Sequence, residues 1–134
     1  MLFKRVNFST ASGTTAPMRQ GDGMLGAISP VIVATDTNLT LTVAQMAGGM
    51  IQYTGFTAGR TLTTPTAALI LAAAPDMDIG DSFQLLISVV PAFAATWAAG
   101  AGVTLLGRAT TPASSWSIVT VIKLSATTVS WNVS

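Results

Sequence analysis

The chain has 134 residues, a formal net charge of +1 and only 8% charged residues, and it contains no cysteine, histidine or glutamate. Those absences remove disulfides, thiolate and imidazole metal ligands, imidazole general bases and glutamate acid–base pairs, and a near-zero charge offers no basic surface to nucleic acid. What remains is a length suited to one domain with a single core, and a composition suited to contact rather than to catalysis.

Residues 1–23 carry Ser, Thr, Ala, Gly and Pro without a sustained period and end at the turn signal Gly21-Asp22-Gly23. They predict an extended N-terminal arm ahead of a single β-sandwich domain spanning residues 24–134. No apolar stretch follows Lys4 and Arg5, so the segment does not read as a signal peptide. Leu2, Phe3, Val6, Phe8 and Met18 are too apolar for a purely solvating tail, and Lys4, Arg5 and Arg19 give it local positive charge. Such a segment is expected to order on a neighbouring chain by adding backbone to an exposed strand edge.

From Ile28 the texture turns to β. Val31-Ile32-Val33 is a short branched run, and Leu39-Thr40-Leu41 resumes it after the polar turn Asp36-Thr37-Asn38. That triplet approaches the Asp-Thr/Ser-Gly signature of aspartic proteases but lacks the glycine that lets two carboxylates meet. Thr42-Val43-Ala44-Gln45 has capping-box spacing and predicts a short helical turn, closed by Gly48-Gly49 before the strand Met50-Ile51-Gln52-Tyr53-Thr54.

Arg60-Thr61-Leu62-Thr63 alternates as a strand end. Thr64 as N-cap and Pro65 at the first helical position then predict one short buried helix at about 65–74, filled by alanine, leucine and isoleucine and stopped by Pro75. Asp76, Asp78 and Asp81 follow in DMDIGD. A calcium loop starting at Asp76 requires an oxygen ligand where Gly80 stands and a bidentate glutamate where Ile87 stands. The expected role is therefore structural: Asp76 and Asp78 bond local backbone, and Asp81 fixes the strand start, pairing with Arg60. No metal and no cofactor is expected.

Residues 82–107 are uncharged, but Gln84, Ser88, Pro91, Thr96, Gly100, Gly102 and Thr104 interrupt them, which argues against a continuous membrane helix. The apolar stretch from Pro91 to Trp97 is a candidate contact surface, with Phe93 and Trp97 as its anchors. Further on, Val103-Thr104-Leu105-Leu106 precedes a turn at Gly107. Trp116, Ile118, Thr120, Ile122 and Leu124 share one strand face, and Thr127, Val129, Trp131 and Val133 share another. Trp116 and Trp131 read as core residues of an antiparallel sheet. Seven or eight short strands with turns about every ten residues predict an all-β fold, a jelly-roll-like β-sandwich.

Gly49-Met50-Ile51, the run Arg60 to Ala68, Ile79-Gly80-Asp81-Ser82-Phe83 and the run Ala99 to Gly107 together resemble small structural proteins of tailed bacteriophages, several of them capsid decoration, or cement, proteins with a jelly-roll-like β fold. The resemblance covers roughly residues 42–133. It implies a non-enzymatic virion protein on the outer surface of the capsid, made in the host cytoplasm. Its partners are then the major capsid protein and its own copies, as a homodimer or homotrimer, with neither nucleic acid nor membrane. The stretch 84–97 is more apolar here than in that family. The alternative is a tail or fibre-associated recognition module that stacks Tyr53, Trp97, Trp116 or Trp131 on a host-surface glycan.

Overall fold

A computed structural model describes residues 29–134 in full and, before them, the backbone of Arg5–Ser9 (β1) and Thr15–Arg19 (β2). These two strands pair antiparallel, with Val6 opposite Met18. Leu2, Phe3 and Lys4 lie outside the described residues, as do the side chains of Arg5, Val6, Phe8, Met18 and Arg19, so the contacts expected of the arm fall outside this description.

From Val31 onward the chain alternates between two sheets. Val31–Val33 (β3), Met50–Tyr53 (β5) and Ser82–Val89 (β7) lie side by side and parallel in the larger sheet. Leu39–Thr40 (β4), Arg60–Thr63 (β6) and Ala95–Ala98 (β8) do the same in the smaller one. Three successive strand pairs thus wind as three turns of a flattened coil. Val103–Gly107 (β9) then crosses to the far edge of the larger sheet, and Thr110–Thr111 (β10) adds antiparallel to β8. Ser115–Lys123 (β11) and Val129–Val133 (β12) fill the gap, giving the orders β3-β5-β7-β11-β12-β9 and β10-β8-β6-β4.

The molecule is therefore all-β with two facing sheets, as the strand periodicity predicts, but its pairing corrects the finer expectation. A jelly roll is built of antiparallel strands. Here five of the nine ladders among the described residues are parallel, including β9 with β12 in the segment read as antiparallel. The physical reason is the coil: a chain that leaves one sheet for the other and returns a strand further along arrives in the same direction each time.

Two short helices sit in the crossings. Val43–Met46 (α1) carries the predicted capping box, with the Gln45 N–H donating to Thr42 Oγ1 and the Thr42 N–H to Gln45 Oε1. Ala67–Ala73 (α2) is capped by Thr66, whose hydroxyl accepts from the Leu69 N–H at 3.3 Å, and not by Thr64. Thr64 is diverted, since its hydroxyl accepts from the Gly100 N–H at 2.9 Å and donates to the Pro65 carbonyl. Nor is α2 buried all round. Ala67, Ile70 and Ala73 face the core, while Leu69 on the opposite side is 55% exposed.

The core lies between the sheets. Phe83, Leu85, Ile87 and Val89 of β7 point inward with Val119 and Val121 of β11 and Val129, Trp131 and Val133 of β12. Leu62, Ala95 and Trp97 meet them from the smaller sheet. Trp97 and Trp131 join the two layers directly, with ring centroids 5.5 Å apart and planes tilted by 51°. Each of the valine, leucine, isoleucine and phenylalanine side chains among them contributes about 1.5–3 kcal/mol through burial. Among the described residues no helix is long and apolar enough to cross a membrane.

Candidate interaction face

The DMDIGD turn is closed by its own backbone together with the Asp81 carboxylate and the Lys123 ammonium. The Asp78 N–H donates to Asp81 Oδ2 at 2.8 Å, the Asp81 N–H returns to the Asp78 carbonyl, and the Lys123 ammonium closes on the Met77 carbonyl at 2.8 Å. Asp81 thus fixes the entry to β7 as expected, but Arg60 is not its partner. Arg60 belongs to the Asp36-Thr37-Asn38 turn: its Nε and Nη2 both reach Asp36 Oδ1 at 2.8 Å. Asp36 also accepts from the Thr57 N–H at 3.0 Å and from the Thr57 hydroxyl, and Asn38 Oδ1 accepts from the Thr61 N–H at 2.9 Å. The two Thr57 hydrogen bonds first, and then Arg60, hold the Asp36 carboxyl below its ordinary range. This carboxylate braces the first turn of the coil to the second and faces no other acid within the brace. Grouped His, Cys, Asp or Glu side chains able to hold a metal ion do not occur among the described residues.

The aromatic residues divide sharply. Tyr53, Trp97 and Trp131 are buried, and Trp97 donates its indole N–H to Thr111 Oγ1 at 3.1 Å. The contact expected of Trp97 is thereby taken up by the core, whereas Phe93 stays 41% exposed beside it in the chain. Trp116 reverses the core assignment made for it, for it is 60% exposed on the outer face of the larger sheet. The reason is parity. Ser117 pairs with Ile87 and Val121 with Phe83, so the odd positions of β11 turn inward with those of β7 and the even ones turn out.

That outer face is the molecule's most distinctive surface. One row across the strands reads Ile32, Gln52, Ser88, Trp116, and the next Met50, Leu86, Ile118. Further along, Gln84, Thr120, Asn132 and Leu106 form a third row towards β9. No outward position of the six strands is charged. A groove of about 240 Å³ runs between Met50, Leu86, Ser88, Trp116 and Ile118. A second depression of about 230 Å³ lies on the other side of Trp116, bounded by Val90, Ser114 and Ser115. Trp116 and Ser88 line both depressions.

Local structure holds this surface in place. Ser114 adopts φ 48°, in a left-handed turn uncommon for a non-glycine residue, and its N–H donates to the Pro91 carbonyl at 2.9 Å. The turn delivers Trp116 at the head of β11. At the other side β3, which carries Ile32, is seated between two glycines. A Cβ on Gly48 would lie 2.2 Å from the Ser29 carbonyl oxygen, and one on Gly55 1.9 Å from that of Ala34. Only glycine allows so close an approach of the first coil turn to the second. The alternation of β11 put Trp116 on one face with Ile118 in the sequence. Which face looks outward was not visible there.

No protein family, curated protein or solved structure matches this chain.

Proposed function

We propose that this chain is a non-enzymatic structural protein that works by surface contact, and that it serves as a capsid decoration protein of a tailed bacteriophage. It binds the major capsid protein and its own copies on the outer surface of the head. The observation that carries the reading is the uncharged outer face of the larger sheet, where Ile32 and Trp116 are 65% and 60% exposed beside an apolar groove. Exposed apolar surface of this kind, interrupted by the uncharged Gln52 and Ser88, marks a site of association. The motif resemblance at residues 42–133 supplies the virion setting, and the jelly-roll likeness of that family enters only as two facing β-sheets. The test is copy number in purified particles of the phage that encodes the chain. Hundreds of copies per particle are expected, a handful would move the protein to the tail, and none would overturn the virion assignment.

The exposure of Trp116 also supports a second reading, a tail or fibre module that stacks its indole on a host-surface glycan with Gln52 and Ser88 nearby. A glycan array separates the two. Binding abolished by Trp116→Ala would favour recognition, and an empty array favours decoration.

A further inference from the structure

We infer that the partner of this face is a second copy of the chain, docked sheet to sheet about a two-fold axis so that each Trp116 seats in the groove lined by Met50, Leu86 and Ile118 of the other. The inference rests on the reading that the chain acts through surface contact, and it names the first partner of that surface.

Charge argues for it first. Charged side chains of the described residues lie elsewhere: Asp36 with Arg60 in the brace, Lys123 at the Met77 carbonyl, Asp76, Asp78 and Asp81 in the turn before β7, and Arg108 beyond β9. A face without charge exerts little steering on a charged partner, and two copies of it meet without like-charge repulsion. Shape argues next. In a two-fold interface the same patch must supply both the projecting and the receiving element. Here a projecting indole and an apolar groove are neighbours on one face, which is the required self-complementarity. Size is compatible with a small interface. The six strands are 3, 4, 8, 9, 5 and 5 residues long, and at about 3.3 Å per residue along and about 4.8 Å per strand across they give a flat footprint of roughly 540 Å². Side-chain relief raises this towards the roughly 800 Å² per partner that stable complexes bury. The uncharged polar residues Gln84, Thr120 and Asn132 border the apolar rows on one side, and Gln52 and Ser88 lie within them.

The experiment is sedimentation equilibrium of the full chain across micromolar concentrations, with Trp116→Lys as the test and Leu69→Lys, on the exposed side of α2, as the control. Wild type and Leu69→Lys are expected to be dimers. Trp116→Lys is expected to dissociate at least about thirtyfold more readily, as for the loss of a central aromatic anchor, with unchanged circular dichroism. A second measurement needs no variant. Of the three tryptophans only Trp116 is exposed, so quenching of wild-type fluorescence by iodide should fall as the dimer forms. A wild type that stays monomeric, a dimeric Trp116→Lys, or an oligomer whose Trp116 remains open to iodide would each overturn the inference. A monomer found in hundreds of copies on virions overturns this inference and leaves the decoration reading standing. A Trp116-dependent dimer absent from virions does the reverse.

Discussion

The outer faces of the two sheets solve the same problem in opposite ways. Both must keep strands paired in a chain with almost no charge. On the smaller sheet the outward positions are Thr40, Thr61, Thr63, Thr96, Ala98 and Thr110, with Thr61, Thr96 and Thr110 aligned in one row. Threonine combines a β-branched carbon that suits a pleated strand with a hydroxyl that water can reach, so this face is wetted without ions. On the larger sheet the two rows across β3, β5, β7 and β11 hold Ile32, Met50, Leu86, Trp116 and Ile118 with Gln52 and Ser88 among them, and the apolar members pack as strand residues but leave apolar surface unsatisfied. Strand propensity is thus met on both faces, and only solvation differs. The dry face is the one suited to a protein partner.

The largest expected effect tests whether that difference is confined to the outside. Leu62 lies under the threonine face and Ile87 under the apolar one, and both are fully buried in one core. Leu62→Ala and Ile87→Ala should each cost about 2–5 kcal/mol in denaturant unfolding of dilute protein, as for other large-to-small core changes. A loss for one and not the other would mean that the sheets stand independently. Next, Gly55→Ala should cost about 1–3 kcal/mol through crowding against the Ala34 carbonyl. Because the displaced element is β3, amide exchange should accelerate at Thr54, whose N–H donates to Val33, more than at Thr64 in the smaller sheet.

Exchanging the character of the faces should have little effect on the fold. Trp116→Thr and Thr96→Val are expected to shift stability by no more than about 0.5 kcal/mol, as exposed substitutions do. Their effects on association should differ. Trp116→Thr lowers it and Thr96→Val leaves it unchanged or raises it, read by light scattering against concentration. The smallest effect concerns the Asp36 brace at the edge of the threonine sheet. The carboxyl is held below its ordinary range in the folded state, so its contribution is present above the unfolded pKa and is lost as pH falls through the lower, folded value. Acid unfolding of wild type below about pH 4 should therefore be steeper than that of Asp36→Asn, and the two should respond alike at neutral pH. Parallel acid titrations would remove the brace from the account.

Much of the local structure was legible in the sequence. Alternation placed β6, β7, β11 and β12, and the Thr42/Gln45 spacing placed α1 with both of its reciprocal bonds. Less was legible where two residues competed for one role. Thr64 and Thr66 both flank Pro65, and the cap went to Thr66 because Gly100 brings its N–H to Thr64 from a later turn of the coil. Arg60 had aspartates on both sides in the sequence. Asp36 won because Leu39 pairs with Leu62, which lays the first polar turn alongside Arg60. For the candidate site the sequence supplied Trp116 and Ile118 on one strand face. Met50, Leu86 and Ile32 joined them only through inter-strand register.

Sequence alone determined the β character, the two short helical turns, the place of Asp81 at the start of β7 and the lack of thiol, imidazole and glutamate side chains, since backbone preference and side-chain inventory are local properties. The tertiary structure decided that the coil turns pair in parallel, that the even face of β11 looks outward, and that Asp36 holds Arg60. Those outcomes depend on strands far apart in the chain. A strand has two faces of comparable hydrophobicity here, and the inner one is chosen only when Phe83, Leu85 and Ile87 of β7 and Val119 and Val121 of β11 pack at once against Leu62 and Trp97 from the facing sheet.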